Sequence, residues 1–181
     1  RYLLAGYPWF KCRARDTFIS LPGLTLSIGE QDYFELVMKT SERALREFMD
    51  GLPSTTKMAE VELPDVLLWS VWAIQQYSHY TDTKSCYSRY GQLVRDIVTF
   101  IEKGKHPNLR LDENGLLWSN GLDKAVTWMN STANGHPVVP RTGYIVEFNA
   151  LWYNALKFSA QMAADTGDAE AALALERQAA L

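Results

Sequence analysis

Histidine, cysteine and long apolar runs are all scarce in this chain, and each shortage removes a class of protein. The three histidines, His79, His106 and His136, are scattered, and two of them stand directly before proline. No metal-ligand cluster is expected from them, and no cofactor is called for. The two cysteines, Cys12 and Cys86, lie far apart and make neither a disulfide framework nor a metal site. That usage suits a reducing, cytoplasmic setting. No apolar run reaches the roughly 18 residues that span a bilayer, so no membrane partner is expected. Excess positive charge is also missing. A formal charge of −3 and a pI near 5.6 leave no footprint for nucleic acid or an anionic surface.

What remains is an ordinary globular composition with one bias. At 47% apolar and 22% charged over 181 residues, the chain can bury roughly two-thirds of its unfolded surface around a real core. The bias is aromatic: six Trp and nine Tyr, many beside polar residues. Aromatic faces with polar neighbours suit a large core with wet rims, and they also suit sugars. A ring covers the apolar C–H face of a sugar while carboxylates, amides and arginine bond its hydroxyls.

The apolar spacing predicts helices almost throughout. Asp16 to Ile28 reads as one helix with a kinked start at Pro22-Gly23, capped by Asp16 or Thr17 and ended by Gly29. Asp32 to Met49 is amphipathic, with Phe34, Val37, Met38, Ser41, Leu45 and Phe48 on one face. A polar connection, Leu52 to Pro64, leads to a helix from Asp65 that is apolar nearly all round. Ser88 to Glu102 is amphipathic again. The long stretch from Lys105 to Gly143 is rich in Gly, Pro and Asn, with short extended pieces expected at Leu109–Leu111 and Val138–Val139. A connection of that length is usually functional. A largely apolar helix, Val146 to Asp165, and a short amphipathic one after Gly167 complete the chain.

An all-round apolar helix is thus followed by an amphipathic one three times. That alternation predicts an all-α fold of helical hairpins in two layers, the inner helices buried and the outer ones half exposed. Three hairpins alone would leave apolar flanks bare. Residues 1–181 are therefore expected to be a single partial domain, about half of a larger ring.

Polar and aromatic residues crowd the N-terminal ends of the three inner helices: Trp9 to Arg15-Asp16, Glu62 to Asp65 with Trp69, and Arg141 to Glu147 with Asn149 and Trp152. Singly, these are ordinary caps, first-turn acids and surface ion pairs. Their recurrence at one end of three successive hairpins points to a site.

Two stretches carry a family resemblance. Ala5-Gly6-Tyr7-Pro8-Trp9-Phe10 followed by Arg15-Asp16-Thr17-Phe18-Ile19-Ser20-Leu21-Pro22-Gly23-Leu24 is one. Thr127-Trp128-Met129, Pro140-Arg141 and Val146-Glu147-Phe148-Asn149-Ala150-Leu151-Trp152-Tyr153-Asn154-Ala155-Leu156 make the other. In order and spacing they resemble the α-1,6-glucosidase part of bacterial and archaeal glycogen debranching enzymes. The resemblance implies an (α/α)6 toroid, with the remainder of the chain or barrel completing it. It also implies inverting hydrolysis of α-1,6 stubs in a branched α-glucan such as glycogen or limit dextrin. It places Arg15 and Asp16 on the sugar of the −1 subsite, Arg141 and Glu147 on further hydroxyls, and Trp9, Trp69, Trp128 and Trp152 as stacking platforms. Glu147 is also the candidate carboxylate of the late segment.

Two positions depart from that pattern. Arg13-Ala14 stands where the family has Trp-Gly. Asn130 stands where the family has the Asp expected to be the general acid. An amide donates hydrogen bonds but cannot deliver a proton. The resemblance puts the base C-terminal to Leu181, so this polypeptide alone is not expected to catalyse. A glucan-binding module descended from the enzyme is the alternative expectation.

Overall fold

The computed structural model describes residues 1–181 and is mostly helical, with a small amount of sheet. Helix α1 spans Ala14–Leu24 and α2 spans Gln31–Met49. Helix α3 spans Val66–Tyr80, α4 Thr83–Glu102, α5 Val146–Asp165 and α6 Ala169–Ala179. The amphipathic spacing is realised in α2, which buries Phe34, Val37, Met38, Ser41, Ala44 and Leu45 along one stripe. In α4 the stripe is Tyr90, Leu93, Val94, Ile97, Val98 and Ile101. Helix α3 is covered on most sides, leaving only Trp69 and Trp72 half-buried in its first two turns.

Three details differ from the sequence reading. Helix α4 begins at Thr83, not Ser88, because the Asp82 side chain accepts hydrogen bonds from the Lys84 and Ser85 N–H groups. Asp16 is not a cap: α1 starts at Ala14 behind an extended Arg13, and Asp16 sits exposed in the first turn, where the helix dipole favours an acid. The helix also stops sooner. Thr25 leaves helical geometry, a single 3₁₀ turn covers Leu26–Ile28, and Gly29 ends it at φ 80°.

The chain forms three hairpins. Helices α1, α3 and α5 lie side by side, α1 against α3 and α3 against α5, while α2, α4 and α6 pack on the outside. Phe34 of α2 stacks on Tyr77 of α3 at 4.8 Å, and Tyr77 meets Tyr90 of α4 edge-on at 5.5 Å. Each such buried aromatic or Leu contributes about 1.5–3 kcal/mol, so this contact set fixes the first two hairpins against each other. Helix α6 packs mainly on α5 and buries no residue fully. The inner layer leaves Ile19 and Leu24 of α1, and Val146 and Tyr153 of α5, open to solvent.

The connection between α4 and α5 carries all the sheet. Strands β1 (Leu109–Leu111) and β2 (Leu117–Ser119) pair antiparallel. Strands β3 (Thr132–Ala133) and β4 (His136–Pro137) form a separate two-residue hairpin. Strand β5 (Gly143–Tyr144) joins β2. The β3–β4 turn is Asn134-Gly135 with both φ values positive (51° and 82°), the conformation that a two-residue hairpin of right-handed twist requires. β1 coincides with one extended piece read from the sequence. The other, Val138–Val139, lies just beyond β4 outside any strand, its Val138 N–H bonded to the Ser131 carbonyl.

Candidate functional site

The sheet and the inner helices are pinned together by a few polar side chains. Asn149, in the first turn of α5, accepts the Leu117 N–H at 2.7 Å and donates to the Leu117 and Ile145 carbonyls at 3.1 and 3.0 Å. It therefore fastens β2 to α5. A parallel bridge between Arg13 and Ala59 (Ala14 N–H to the Ala59 carbonyl, Ala59 N–H to the Cys12 carbonyl) lays the entry to α1 beside the entry to α3. That contact places Arg15 against Asp65.

Arg15 donates to Asp65 through Nε at 2.6 Å and Nη2 at 2.9 Å, a bidentate fork with both side chains 8% or less exposed. Nη2 also reaches the carbonyl of Val126 at 3.4 Å. Asp65, which the sequence suggested as a cap, makes no side-chain cap on α3. Its carboxylate is occupied by Arg15. This buried fork joins α1, α3 and the long loop at one point, immediately before Thr127-Trp128.

Beyond that point the chain emerges. Trp128 is 60% exposed, yet its indole N–H donates to Oε1 of Glu147 at 3.1 Å. The second oxygen of Glu147 accepts from Arg141 Nη2 at 2.7 Å, while Arg141 Nη1 lies 3.4 Å from the Met129 sulfur. Burial works against the charge on Glu147, but its own backbone N–H, Arg141 and Trp128 outweigh it and hold the carboxyl below the usual range. Arg141 is in turn fixed by backbone. A Cβ on Gly121 would lie 2.2 Å from the Arg141 carbonyl oxygen, so only glycine allows this approach, which the Gly121 N–H to Thr142 hydroxyl bond (3.0 Å) accompanies.

Asn130, two residues on, lines a groove of about 510 Å³ with Phe10, Arg13, Glu60, Glu62, Asp123 and Lys124. Arg13 stacks over Phe10 at 4.8 Å and pairs with Glu60 at 3.6 Å. Burial opposes ionisation of Glu62, but the 2.9 Å bond from Lys124 overrides it and lowers its pKa. Behind the groove His106 is buried between Phe48 and Phe100. Its Nδ1 accepts from the Asn108 N–H, its Nε2 has no partner, and burial, aided by Lys124, pushes its pKa down to about 4.

The other predicted residues separate. Trp9 is 82% exposed on the N-terminal segment, and Asp16 is exposed at the start of α1. Trp69 is half-buried, edge-on to Trp72 at 5.5 Å. Trp152 is 2% exposed within the core, so its ring faces protein. The residues brought together are Arg15 with Asp65, and Trp128 with Arg141 and Glu147. Glu60, Asp123 and Lys124 were not singled out from the sequence. Glu60, at φ 63° without being glycine, gives no sequence signal for that backbone, and the Lys124–Glu62 pair bridges 62 residues.

The architecture and site together define a class: stacked helical hairpins bearing an aromatic, guanidinium and carboxylate group at the N-terminal end of an inner helix. More narrowly, the chain belongs to the amylo-alpha-1,6-glucosidase family, whose model matches residues 1–178. This is a glycogen-debranching-related glycoside hydrolase family. No curated protein and no solved structure matches the chain. No helix is long and apolar enough to cross a membrane.

Proposed function

We propose that this chain supplies the glucan-binding half of an (α/α)6 ring, and that the complete protein hydrolyses α-1,6 stubs of a glycogen-like glucan by inversion. The observation that carries this reading is the exposed Trp128 ring, bonded to a Glu147 that Arg141 also holds, two residues before the Asn130 that lines the groove. A flat apolar face beside paired charges matches a glucose unit, which has an apolar C–H face and hydroxyls at its rim. The uncovered apolar residues of α1 and α5 fit a further set of hairpins closing on this one. The buried free cysteines suit a cytoplasmic enzyme.

Inversion needs an acid that protonates the leaving oxygen and a carboxylate, roughly 6.5–9.5 Å away, that activates water. Asn130 cannot serve as that acid. Glu62 in the same groove is held ionised by Lys124, which does not suit a proton donor either. The full-length protein, assayed on a branched limit dextrin beside its Asn130→Asp variant, tests the reading. The variant is expected to be faster by about 10²–10⁴-fold, the usual worth of a positioned acid.

The amide at position 130 favours a second reading, a glucan-binding module that has lost turnover. Inactivity of both proteins with retained binding of the dextrin would select it. Loss of binding as well would defeat both.

A further inference from the structure

We propose that Glu147 is a positioning residue whose carboxylate sets the angle of the Trp128 indole, turning an exposed side chain into a fixed platform for the apolar face of a glucose unit. The inference rests on the glucan reading above and assigns Glu147 a role other than proton transfer.

Both carboxylate oxygens of Glu147 are already engaged, Oε1 by the Trp128 indole N–H at 3.1 Å and Oε2 by Arg141 at 2.7 Å. A general acid must hold a proton near the working pH, and a general base must be basic enough to take one. The contacts that stabilise the carboxylate lower its basicity and work against both tasks. They do define a direction. A tryptophan that is 60% exposed gains little orientation from packing, and its indole has only one polar atom with which to be oriented.

Here that atom is bonded to a carboxylate whose place is set from two sides. On one side Glu147 lies in the first turn of α5, on backbone that Asn149 ties to β2. On the other stands Arg141, whose carbonyl is pressed against Gly121. The series Gly121, Arg141, Glu147, Trp128 thus runs from rigid backbone to a solvent-facing ring. Holding a platform in its bound orientation before the sugar arrives removes an ordering cost from binding, which is the usual source of affinity in preorganised sites.

The indole N–H resonance of Trp128, identified in a ¹H–¹⁵N spectrum by its loss in Trp128→Phe, reports the bond directly. In the parent chain it is expected downfield of the exposed Trp9 indole. It should move back as pH falls, with a midpoint below the ordinary carboxylate range. Glu147→Gln keeps an acceptor oxygen, so the resonance should stay partly downfield and cease to titrate. Glu147→Ala should lose both the shift and the titration. Maltotriose is then added to each. Glu147→Ala is expected to weaken its binding about tenfold and Glu147→Gln by no more than about threefold.

A Trp128 resonance that coincides with that of Trp9 and does not titrate would overturn the proposal and leave the glucan reading untouched. So would unchanged maltotriose affinity in Glu147→Ala. A normal titration with no maltotriose effect on any spectrum would overturn the glucan reading and, with it, the platform role.

Discussion

Two arginine–carboxylate pairs meet the chain around Trp128, one at the Val126 carbonyl and one through the indole N–H, and they differ in nearly every physical respect. Arg15–Asp65 is a bidentate fork with both side chains almost sealed from water, whereas in Arg141–Glu147 the side chains are 19% and 34% exposed and share a single short contact. The first joins three elements of the scaffold. The second reaches outward to a ring in solvent. In a dry surround a lost partner leaves an uncompensated charge, while near the surface water replaces it. The same chemical pairing is therefore structural where it is covered and available for recognition where it is open.

Three experiments would break or sharpen that contrast. The largest effect is expected from Asp65→Asn, which leaves the Arg15 guanidinium buried without its counter-charge. A loss of about 3–5 kcal/mol is expected in denaturant unfolding, and a change under about 1 kcal/mol would mean the fork is hydrated.

A second test uses His106, the sealed titratable group behind the groove. Its folded pKa is near 4 against 6.5 unfolded, so the unfolded chain takes up the proton first and stability falls as pH drops. Between pH 7 and pH 4 the parent is expected to lose about 3 kcal/mol more than His106→Gln. Parallel curves for the two proteins would show that the imidazole is reached by water.

The smallest effect belongs to the open pair. Arg141→Ala is expected to cost no more than about 1 kcal/mol of unfolding free energy, since a partly exposed ion pair contributes little. A loss as large as that of Asp65→Asn would erase the distinction between the two pairs.

The scaffold was largely legible because helices are encoded locally. The stripe of Phe34, Val37, Met38, Ser41 and Leu45 is a periodicity that needs no knowledge of the partner surface, and it is buried as a stripe. The start of α4 was misjudged because Thr83, Lys84 and Ser85 carry no apolar signal. Only the Asp82 cap marks them. At the site, side-chain type was informative and side-chain destination was not. Trp128 and Trp152 both stand in segments that resemble the debranching family, yet one faces solvent and the other fills the core. For Trp152 that outcome depends on which face of α5 meets α3, and for Trp128 on where the loop leaves the core, both tertiary facts. Arg15 and Asp65, Lys124 and Glu62, and Gly121 and Arg141 are likewise contacts between distant stretches. No spacing rule reaches them.

The close approach of Gly121 to the Arg141 carbonyl has one more consequence. It pinches the loop at its base, so residues 122–140 form an excursion whose two ends are fixed independently of its length. The outer part of that excursion is the exposed β3–β4 hairpin, bonded mainly to itself through Ser131 and Val138. Closing a longer loop costs only about 0.6 kcal/mol for each doubling of its length. Because Thr132 and Gly135 also line the Asn130 groove, residues gained or shed at the Asn134-Gly135 tip would reshape that groove while Trp128 keeps its bond to Glu147.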